Sequence, residues 1–540
     1  MTRADEIADV LVVGYGPSGA TMANLLGRRG YRVVVIDQAA TVYDKPRAIT
    51  ADHEALRIFQ EIGVVDEVVA GTTPHPGTDF VGIDGQVIKR FYPAPPPNAL
   101  GWEPSFMFVQ PELEATLRRG VDRLDAVRVL LQHRFVELVQ DDDGVTAQLE
   151  RLEDGAAVTV RSRYLIAADG ASSRVRKQLA APIEDLAFDE WWLVVDAWIR
   201  GPVELPPRCV QYCRPSRPGT YIVGPDPLRR WEIKMLPHES PKDFESHDAV
   251  WRVLGEFVDT TSLEHCRTAV YRFHALVVQQ WREGRVFLMG DAAHQMPPFM
   301  GQGLCAGVRD AFNLAWKLDA VMRLGAAPTL LDTYGEERKR HVRTVVGHAK
   351  SFGLIIGELD VAAAQARDQR LGEELASGRA ETVRQRFIPG LETGLIDRGA
   401  QGTPSPDAGD LFVQPHVRQG AAPWQRFDDV LGARWAVVAL DAAALRGIDA
   451  TVSEHLRALD GTVALVHAAG TAAPAAPAGV PVWEERDGLL TDWLRSRGAV
   501  ALVARPDRYV YGIARDADDL RRLVETLHAT LQPQPAAVPA

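Results

Sequence analysis

The run DVLVVGYGPSGATMANLLGRRGYRVVVID, from Asp9 to Asp37, decides the fold. A short β-branched strand, Asp9 to Val13, enters the turn Gly14-Tyr15-Gly16-Pro17-Ser18-Gly19. Ala, Leu and Met then fill a helix from Ala20 to Arg29. Gly30 ends it, and Tyr31 to Ile36 is a second strand closing on Asp37. Continuous apolar strands on either side of a helix read as a parallel βαβ unit buried on both faces. In such a unit Gly14 allows the tight turn, Gly16 lets a pyrophosphate approach the backbone, and Gly19 lets helix and strand pack closely. The helix N-terminus offers unpaired N–H groups and a positive dipole to phosphate. Asp37 stands at the ~20-residue spacing of a ribose-binding carboxylate. A glycine turn alone is a weak signal. Strand, helix and terminal acid together point to a dinucleotide, without distinguishing NAD from FAD.

The whole chain has 540 residues, 46% hydrophobic and 24% charged, which is ordinary globular composition. At roughly 150 residues per domain this length suggests about three domains and a large core. Acidic residues number 72 against 60 Lys plus Arg, a net charge of -12, so nucleic acid is a poor partner. The 4 cysteines, Cys209, Cys213, Cys266 and Cys305, are too few for a disulfide scaffold and fit a reducing compartment. The first apolar run follows Asp5, Glu6 and Asp9, unlike the basic start of a signal peptide. No run approaches the ~20 apolar residues of a membrane helix. The chain therefore reads as cytoplasmic, with no membrane partner.

Helices and strands alternate to about Gly170. Aromatic, Pro and β-branched runs then take over, in Trp191 to Ile199, Val210 to Cys213, Tyr221 to Val223 and Trp231 to Met235. They predict an antiparallel sheet inserted into the α/β domain. Arg285 to Met289 is a further strand, with a helix from about Leu304 to Leu324 and helical segments on to Arg398. Ala400 to Asp407 reads as a linker. A smaller α/β region follows, with strands at Trp435 to Leu440, Val463 to Val466 and Ala499 to Ala504, and an exposed Ala/Pro loop from Thr471 to Pro481. The tail after Gln532 reads as frayed, and no internal repeat is present. The expected division is an α/β domain of residues 1–187 and 274–398, a sheet domain of 188–273, and a C-terminal domain of 409–532.

Two more motifs separate the dinucleotides. LIAADGASSRVR, Leu165 to Arg176, is a strand ending in Asp169-Gly170, with Ser173 and Arg176 at fixed offsets. VFLMGDAAH, Val286 to His294, is another strand ending in a carboxylate, followed by Pro297 and Gly301-Gln302-Gly303. An NAD dehydrogenase has no need of all three together. With them the chain resembles the class A flavoprotein aromatic hydroxylases, of the para-hydroxybenzoate hydroxylase fold. The resemblance implies a Rossmann-like FAD-binding domain with an inserted substrate-binding sheet. It implies that Gly14, Gly16, Gly19 and Asp37 hold the ADP half of FAD, and that Asp169 lies near the pyrophosphate. Gly290, Asp291, Pro297, Gly301, Gly303 and Leu304 then surround the ribityl chain and flavin. Arg47, in Pro46-Arg47-Ala48, and Gln110, ahead of Pro111, match an arginine and a glutamine that reach FAD. Without the family context Arg47 is a solvated loop residue and Gln110 a helix-start residue. A helix beginning near Gly303 would aim its positive end at the flavin and favour its anionic reduced form.

Within the family the chain is most similar to the 3-(3-hydroxyphenyl)propionate hydroxylases. The similarity runs through Pro46 to Ile49, Glu54 to Arg57, Arg309 to Leu318, Leu331 to Tyr334, Glu337-Arg338 and Arg505 to Arg508. Hydroxylases of polyketides and other phenols share most of these segments. One departure is Cys305, where the family often carries Asn after Gly-Gln-Gly, and Cys305 is expected simply to pack at the helix start. The region after Gly409 resembles a thioredoxin-like domain. It has no cysteine, so dithiol chemistry is excluded, and its expected tasks are packing, stability or the contacts of a homodimer. Cys209 and Cys213 lack a ligand cluster around them, so no metal is expected.

The resemblance implies an FAD monooxygenase. NADH or NADPH reduces FAD, O₂ adds to give a C4a-hydroperoxide, and a phenolate carbon attacks the distal oxygen. The expected substrate is 3-(3-hydroxyphenyl)propionate or a similar phenol. Substrate contacts are expected on the inserted sheet, at Gln211, Cys213, Tyr221 or Val223, with His274 or Tyr271 as polar partners. Arg214 or Arg217 are candidates for a carboxylate. His294 reads as structural, and no residue is identified as the base. The alternatives are hydroxylation of a polyketide or other larger phenol, an FAD-dependent reductase, and a non-catalytic FAD-binding protein. A halogenase lacks its Trp-x-Trp-x-Ile-Pro motif here; Trp198-Ile199-Arg200 does not supply it.

Overall fold

The structure is a computed structural model and describes residues 7–399 and 401–533. Ala400 of the expected linker and the end of the tail lie outside the described residues. β1 (Ala8–Val13), α1 (Pro17–Gly27) and β2 (Val33–Asp37) form the opening βαβ unit. The helix begins at Pro17, three residues before the expected start, because Pro is pre-organised for the first turn. Farther along come the hairpin β3 (Thr78–Val81) and β4 (Val87–Phe91), then β5 (Val127–Leu131), β6 (Ala157–Ala167) and α2 (Arg174–Leu179). The sheet domain follows as β7 (Ile183–Ile199), β8 (Cys209–Tyr212), β9 (Gly219–Val223), β10 (Leu228–Lys234), α3 (His247–Leu254) and β11 (Leu263–Val278). β12 (Val286–Leu288), β13 (His294–Gln295), α4 (Gly303–Arg323) and α5 (Asp332–Ile356) return to the first domain.

Five strands of the first, eight-stranded sheet run parallel in the order β12-β6-β1-β2-β5, and three antiparallel-paired strands complete it. The second has the order β13-β11-β7-β10-β9-β8-β3-β4. It is larger than the expected 188–273 region. β7 and β11 overrun both ends of that range, and the hairpin β3–β4 joins it from far upstream. The edge of β8 needs a backbone partner, and β3 supplies one in parallel register. Sequence proximity conceals such a pairing.

The second sheet has two contrasting faces because side chains alternate along each strand. Its outer face carries Leu193, Val195, Val210, Tyr221, Trp231 and Ile233, which pack with Val250, Val253 and Leu254 of α3. Its inner face carries Asp196, Gln211, Thr220, Arg230 and Glu232, all buried.

In the C-terminal region, β14 (Ala436–Ala439) is followed by α6 (Ala450–Ala458), β15 (Thr462–Ala468), α7 (Leu489–Ser496), β16 (Ala501–Ala504), β17 (Val510–Ala514) and α8 (Ala517–Leu531). The region is bound to the first domain by buried ions. Arg505 donates to Glu337 at 3.0 and 2.7 Å and to Asp507 at 3.0 and 2.8 Å. Lys317 and Asn313 reach Glu337 at 2.7 Å, and the Trp316 indole reaches Asp507 at 2.9 Å. Arg57 pairs with Asp428 in a second buried link. Among the described residues no helix is long and apolar enough to cross a membrane.

Burial raises the Glu337 carboxyl, but Arg505 and Lys317 overcome that and hold it well below the usual range, while burial pulls the Lys317 ammonium down to about 8. Removing Glu337 leaves two buried cations facing each other. Glu337→Ala is expected to cost about 3–5 kcal/mol in chemical denaturation. In the parent chain the contribution of Glu337 is complete above the unfolded carboxyl value of about 4.3 and is lost as pH falls below it. A denaturation series from pH 7 to pH 3 should show this slope in the parent and lose part of it in the variant.

Candidate functional site

The carboxyl ends of β2, β1, β6 and β12 lie side by side. Gly14 N donates to Ile36 O at 2.8 Å, Ala168 N to Val13 O at 2.7 Å, and Met289 N to Ala167 O at 2.9 Å. This places the three motifs on one edge of the parallel sheet, where open α/β sheets bind ligands. Above that edge is a cavity of about 840 Å³ that extends to the inner face of the second sheet.

Gly14 and Gly16 both line the cavity for different reasons. Gly14 has φ +103°, and a Cβ there would lie 2.3 Å from Ala168 O, so the fold itself requires glycine. A Cβ on Gly16 would meet no protein atom within 4 Å. The space in front of it is a cradle for something other than protein. Gly19 is outside the lining; a Cβ there would lie 2.0 Å from Gly14 O, so glycine is what lets α1 pack against the turn. α1 has no side-chain cap and no acid in its first turn, so its free N–H groups face the cavity with the dipole uncompensated. Asp37 lines the cavity and accepts from Tyr15 N at 2.7 Å and Ala39 N at 2.8 Å.

Asp169 also lines the cavity. One oxygen accepts from Arg174 N at 2.8 Å; the other is buried without a partner, and burial raises the carboxyl. Arg176 reaches across to Ala292 O at 3.0 Å, so the second motif supports the third. Asp291 is open towards the cavity, and the protein around it raises its carboxyl above the usual range. Gly301, Gly303 and Leu304 line the cavity beside the uncapped start of α4. Gly290 and Pro297 do not line it. Gly290 N donates to Asp310 at 3.0 Å, and Pro297 precedes a single turn over Pro298–Met300. His294 bonds Asp310 at 2.8 Å inside the core, which is a structural position. Cys305 is fully buried in the main core, and burial pushes its thiol far up.

Gln110 accepts from Ala48 N and donates to Glu114 at 2.5 Å, which orders the loop carrying Arg47. Arg47 is half-exposed, lines the cavity and lies 3.6 Å from Glu114.

Of the expected substrate residues, Gln211 lines the cavity and accepts from Thr220 Oγ1 at 2.5 Å. Tyr271 lines it and pairs with Arg267. His274 sits at the lining with Asp189 3.5 Å away. Tyr221 does not reach it. It is one residue out of phase with Thr220 and Ile222, and packs on Trp231 in the outer core. Val223 shares that face, and Cys213 packs into the main core. Arg217 is bound to Glu239, and Arg214 stacks on Phe257, both away from the cavity.

Sequence reasoning missed Arg230, Glu232, His75 and Arg384, all buried and all lining the cavity. Arg230 holds Asp196 at 2.7 Å and the Pro46 carbonyl at 2.9 Å. Burial and Arg384 keep the His75 imidazole well below its ordinary value and therefore neutral. Burial brings Arg384 itself down to about 10. The legible signal was Arg230 and Glu232 flanking Trp231, two charges on one face of a strand that is buried on both. Among the described residues no three His, Cys, Asp or Glu side chains gather as a metal site.

Comparison with known proteins bears on this arrangement. A family model described as FAD binding domain matches residues 7–349, and one described as HcaD C-terminal domain matches 409–530. A probable NADH-specific resorcinol 4-hydroxylase of Rhodococcus jostii is 34% identical over 98% of this chain and 97% of its own. A 3-(3-hydroxy-phenyl)propionate/3-hydroxycinnamic acid hydroxylase of Comamonas testosteroni is 31% identical over 97% and 98%. Among solved structures, the flavin-dependent monooxygenase PieE with FAD and substrate superposes with TM-score 0.78 at 23% identity, over 97% of this chain and 100% of that one. Aklavinone-11 hydroxylase with FAD and aklavinone gives 0.75 at 23%, over 97% and 99%.

The two glycines make a paired test. Gly16→Val should leave the thermal midpoint of the FAD-free protein unchanged while weakening FAD binding at least about tenfold, or about 1.4 kcal/mol. Gly14→Val should fail to reach a stable fold at all. FAD titration by fluorescence, beside circular dichroism, reads both.

Proposed function

The chain belongs to the FAD binding domain family and is an FAD-dependent aromatic hydroxylase that uses O₂ and NADH or NADPH; we propose that its substrate is a small phenol of the 3-(3-hydroxyphenyl)propionate or resorcinol kind. One observation carries this reading. Three strand-end motifs and a polar sheet face enclose a single cavity, so a dinucleotide on one side meets a phenol on the other. The likenesses to PieE and to aklavinone-11 hydroxylase lie at 23% identity and speak for the fold alone.

The residues present fit FAD. The open space before Gly16, the unpartnered oxygen of Asp169 and the free N-terminus of α1 suit the pyrophosphate. Asp37 retains acceptor capacity for a ribose hydroxyl, since a carboxylate has about four lone-pair sites. Asp291 suits a ribityl hydroxyl, and the start of α4 suits the flavin ring, where its dipole favours negative charge. Arg47 and Gln110 close the side of the cavity. FAD held there supplies, once reduced by the nicotinamide, the activation of O₂. The protein's task is to hold the phenol beside the ring and keep water out. Gln211, with its oxygen committed to Thr220, turns its amide donors to the phenol. Phe273 and Phe299 line the cavity and supply an apolar wall.

For the C-terminal region we propose a thioredoxin-like fold without redox chemistry. β14 runs parallel to β15 and antiparallel to β16, which pairs antiparallel with β17. That β-α-β, β-β-α arrangement supports the reading.

Purified holoenzyme should oxidise NADH or NADPH faster when 3-(3-hydroxyphenyl)propionate or resorcinol is added, and the product should carry one oxygen from ¹⁸O₂. Stimulated oxidation without oxygen in any product would point to a reductase. No stimulation by any phenol, small or polyketide-sized, would leave only FAD binding.

A further inference from the structure

The inner face of the second sheet holds a carboxyl group that the fold does not use. Glu232 on β10 is 4% exposed and lines the cavity. It accepts no hydrogen bond from the described residues, and its nearest cation, Arg230 Nη1, is 3.9 Å away. Arg230 cannot move closer without loss, because it is committed to Asp196 at 2.7 and 3.1 Å and to the carbonyls of Pro46 and Arg47. A buried carboxyl without a hydrogen bond costs stability. One that also opens into a reaction cavity is placed for proton transfer.

The surrounding groups set its acidity. From β7 comes Asp196, from β11 Arg267 and Tyr271, and from its own strand Arg230. β9 contributes the neutral Thr220 directly opposite. Burial first, and then Asp196, hold the Glu232 carboxyl up at about 7 against the opposing pull of Arg230 and Arg267. A general base works best with its value near the working pH.

We propose that Glu232 is the general base that takes the phenolic proton of the substrate, an assignment that rests on the phenol-hydroxylase reading above. In this step the phenolic O–H bond breaks and a new O–H bond forms on a Glu232 oxygen. The electron pair left on the phenolic oxygen spreads to the ortho and para ring carbons, where the new oxygen is to be attached. Nothing is oxidised or reduced in the transfer itself, and Glu232 passes the proton to water as product leaves. A phenol ionises near 10 in water, about three units above Glu232. The transfer therefore accompanies attack on oxygen instead of preceding it, with the Arg230 and Arg267 guanidiniums on the same face to favour the phenolate.

The test uses the FAD-loaded enzyme, its Glu232→Gln and Glu232→Asp variants, and the single-turnover rate of hydroxylation against pH. The wild-type rate of hydroxylation should fall as pH drops below about 7, where Glu232 is protonated, and that limb should not move when ring fluorination acidifies the substrate. Glu232→Gln should lose the limb and slow hydroxylation about 10²-fold or more, with partial recovery on the more acidic fluorophenols. Glu232→Asp should keep the limb at a reduced rate. A purely structural effect would slow all the phenols alike. The assignment is overturned if Glu232→Gln stays within about threefold of wild type with its limb intact, or if the wild-type limb follows the substrate's own pKa. If Glu232→Gln does not retain FAD, the aspartate variant and the wild-type fluorophenol series still decide. Absence of oxygen insertion by the wild-type enzyme with every phenol would overturn the underlying reading, and the base with it.

Discussion

The structure depends on how closely the ends of β1 and β6 approach at Gly14. The Cβ of any other residue there would overlap the Ala168 carbonyl, 2.3 Å away. With glycine, Ala168 N closes onto Val13 O, Met289 N onto Ala167 O, and three turns far apart in sequence share one sheet edge. Each turn then points backbone donors, a carboxylate or a helix start into the same space. Loosening that contact would separate the parts of the site before any ligand arrived.

Charged groups in the interior hold this edge against the other layers. Asp310 on α4 is shared by Gly290 N, His294 and Arg338, and Arg309 beside it is paired with Asp52 and Glu54. Over the next two turns of α4, Asn313, Trp316 and Lys317 join Glu337, Arg505 and Asp507. α4 is thus tied to the glycine turn at one end and to the C-terminal region at the other. Ions buried to this degree contribute little net stability when paired, but leaving any one unpaired is costly, so they enforce one arrangement. The second sheet follows the same logic with opposite faces. Its outer face is apolar and packs on α3; its inner face is charged, satisfied at Asp196 and Arg230, and unsatisfied at Glu232.

What the sequence by itself determined was local. The βαβ unit, the three turns and the helix at residue 303 were legible because each rests on short-range rules: β-branched runs, and glycines where backbone must come close. The motif segments around Arg309 to Leu318, Glu337 and Arg505 to Arg508 were visible as a resemblance, but their meeting in one ion cluster was not, since residues 317, 337 and 505 carry no mark of contact. Tertiary structure alone decided three further matters. Pairing of β8 with β3 joined a distant hairpin to the substrate sheet, because an open strand edge takes whatever partner the fold brings to it. Strand phase set Gln211 towards the cavity and Tyr221 away from it, and a period of two cannot be read from runs so uniformly apolar and aromatic. The acidity of Glu232 arises from burial, from Arg230 on its own strand and from charges on two other strands, so inspection of Leu228 to Lys234 alone could not supply it.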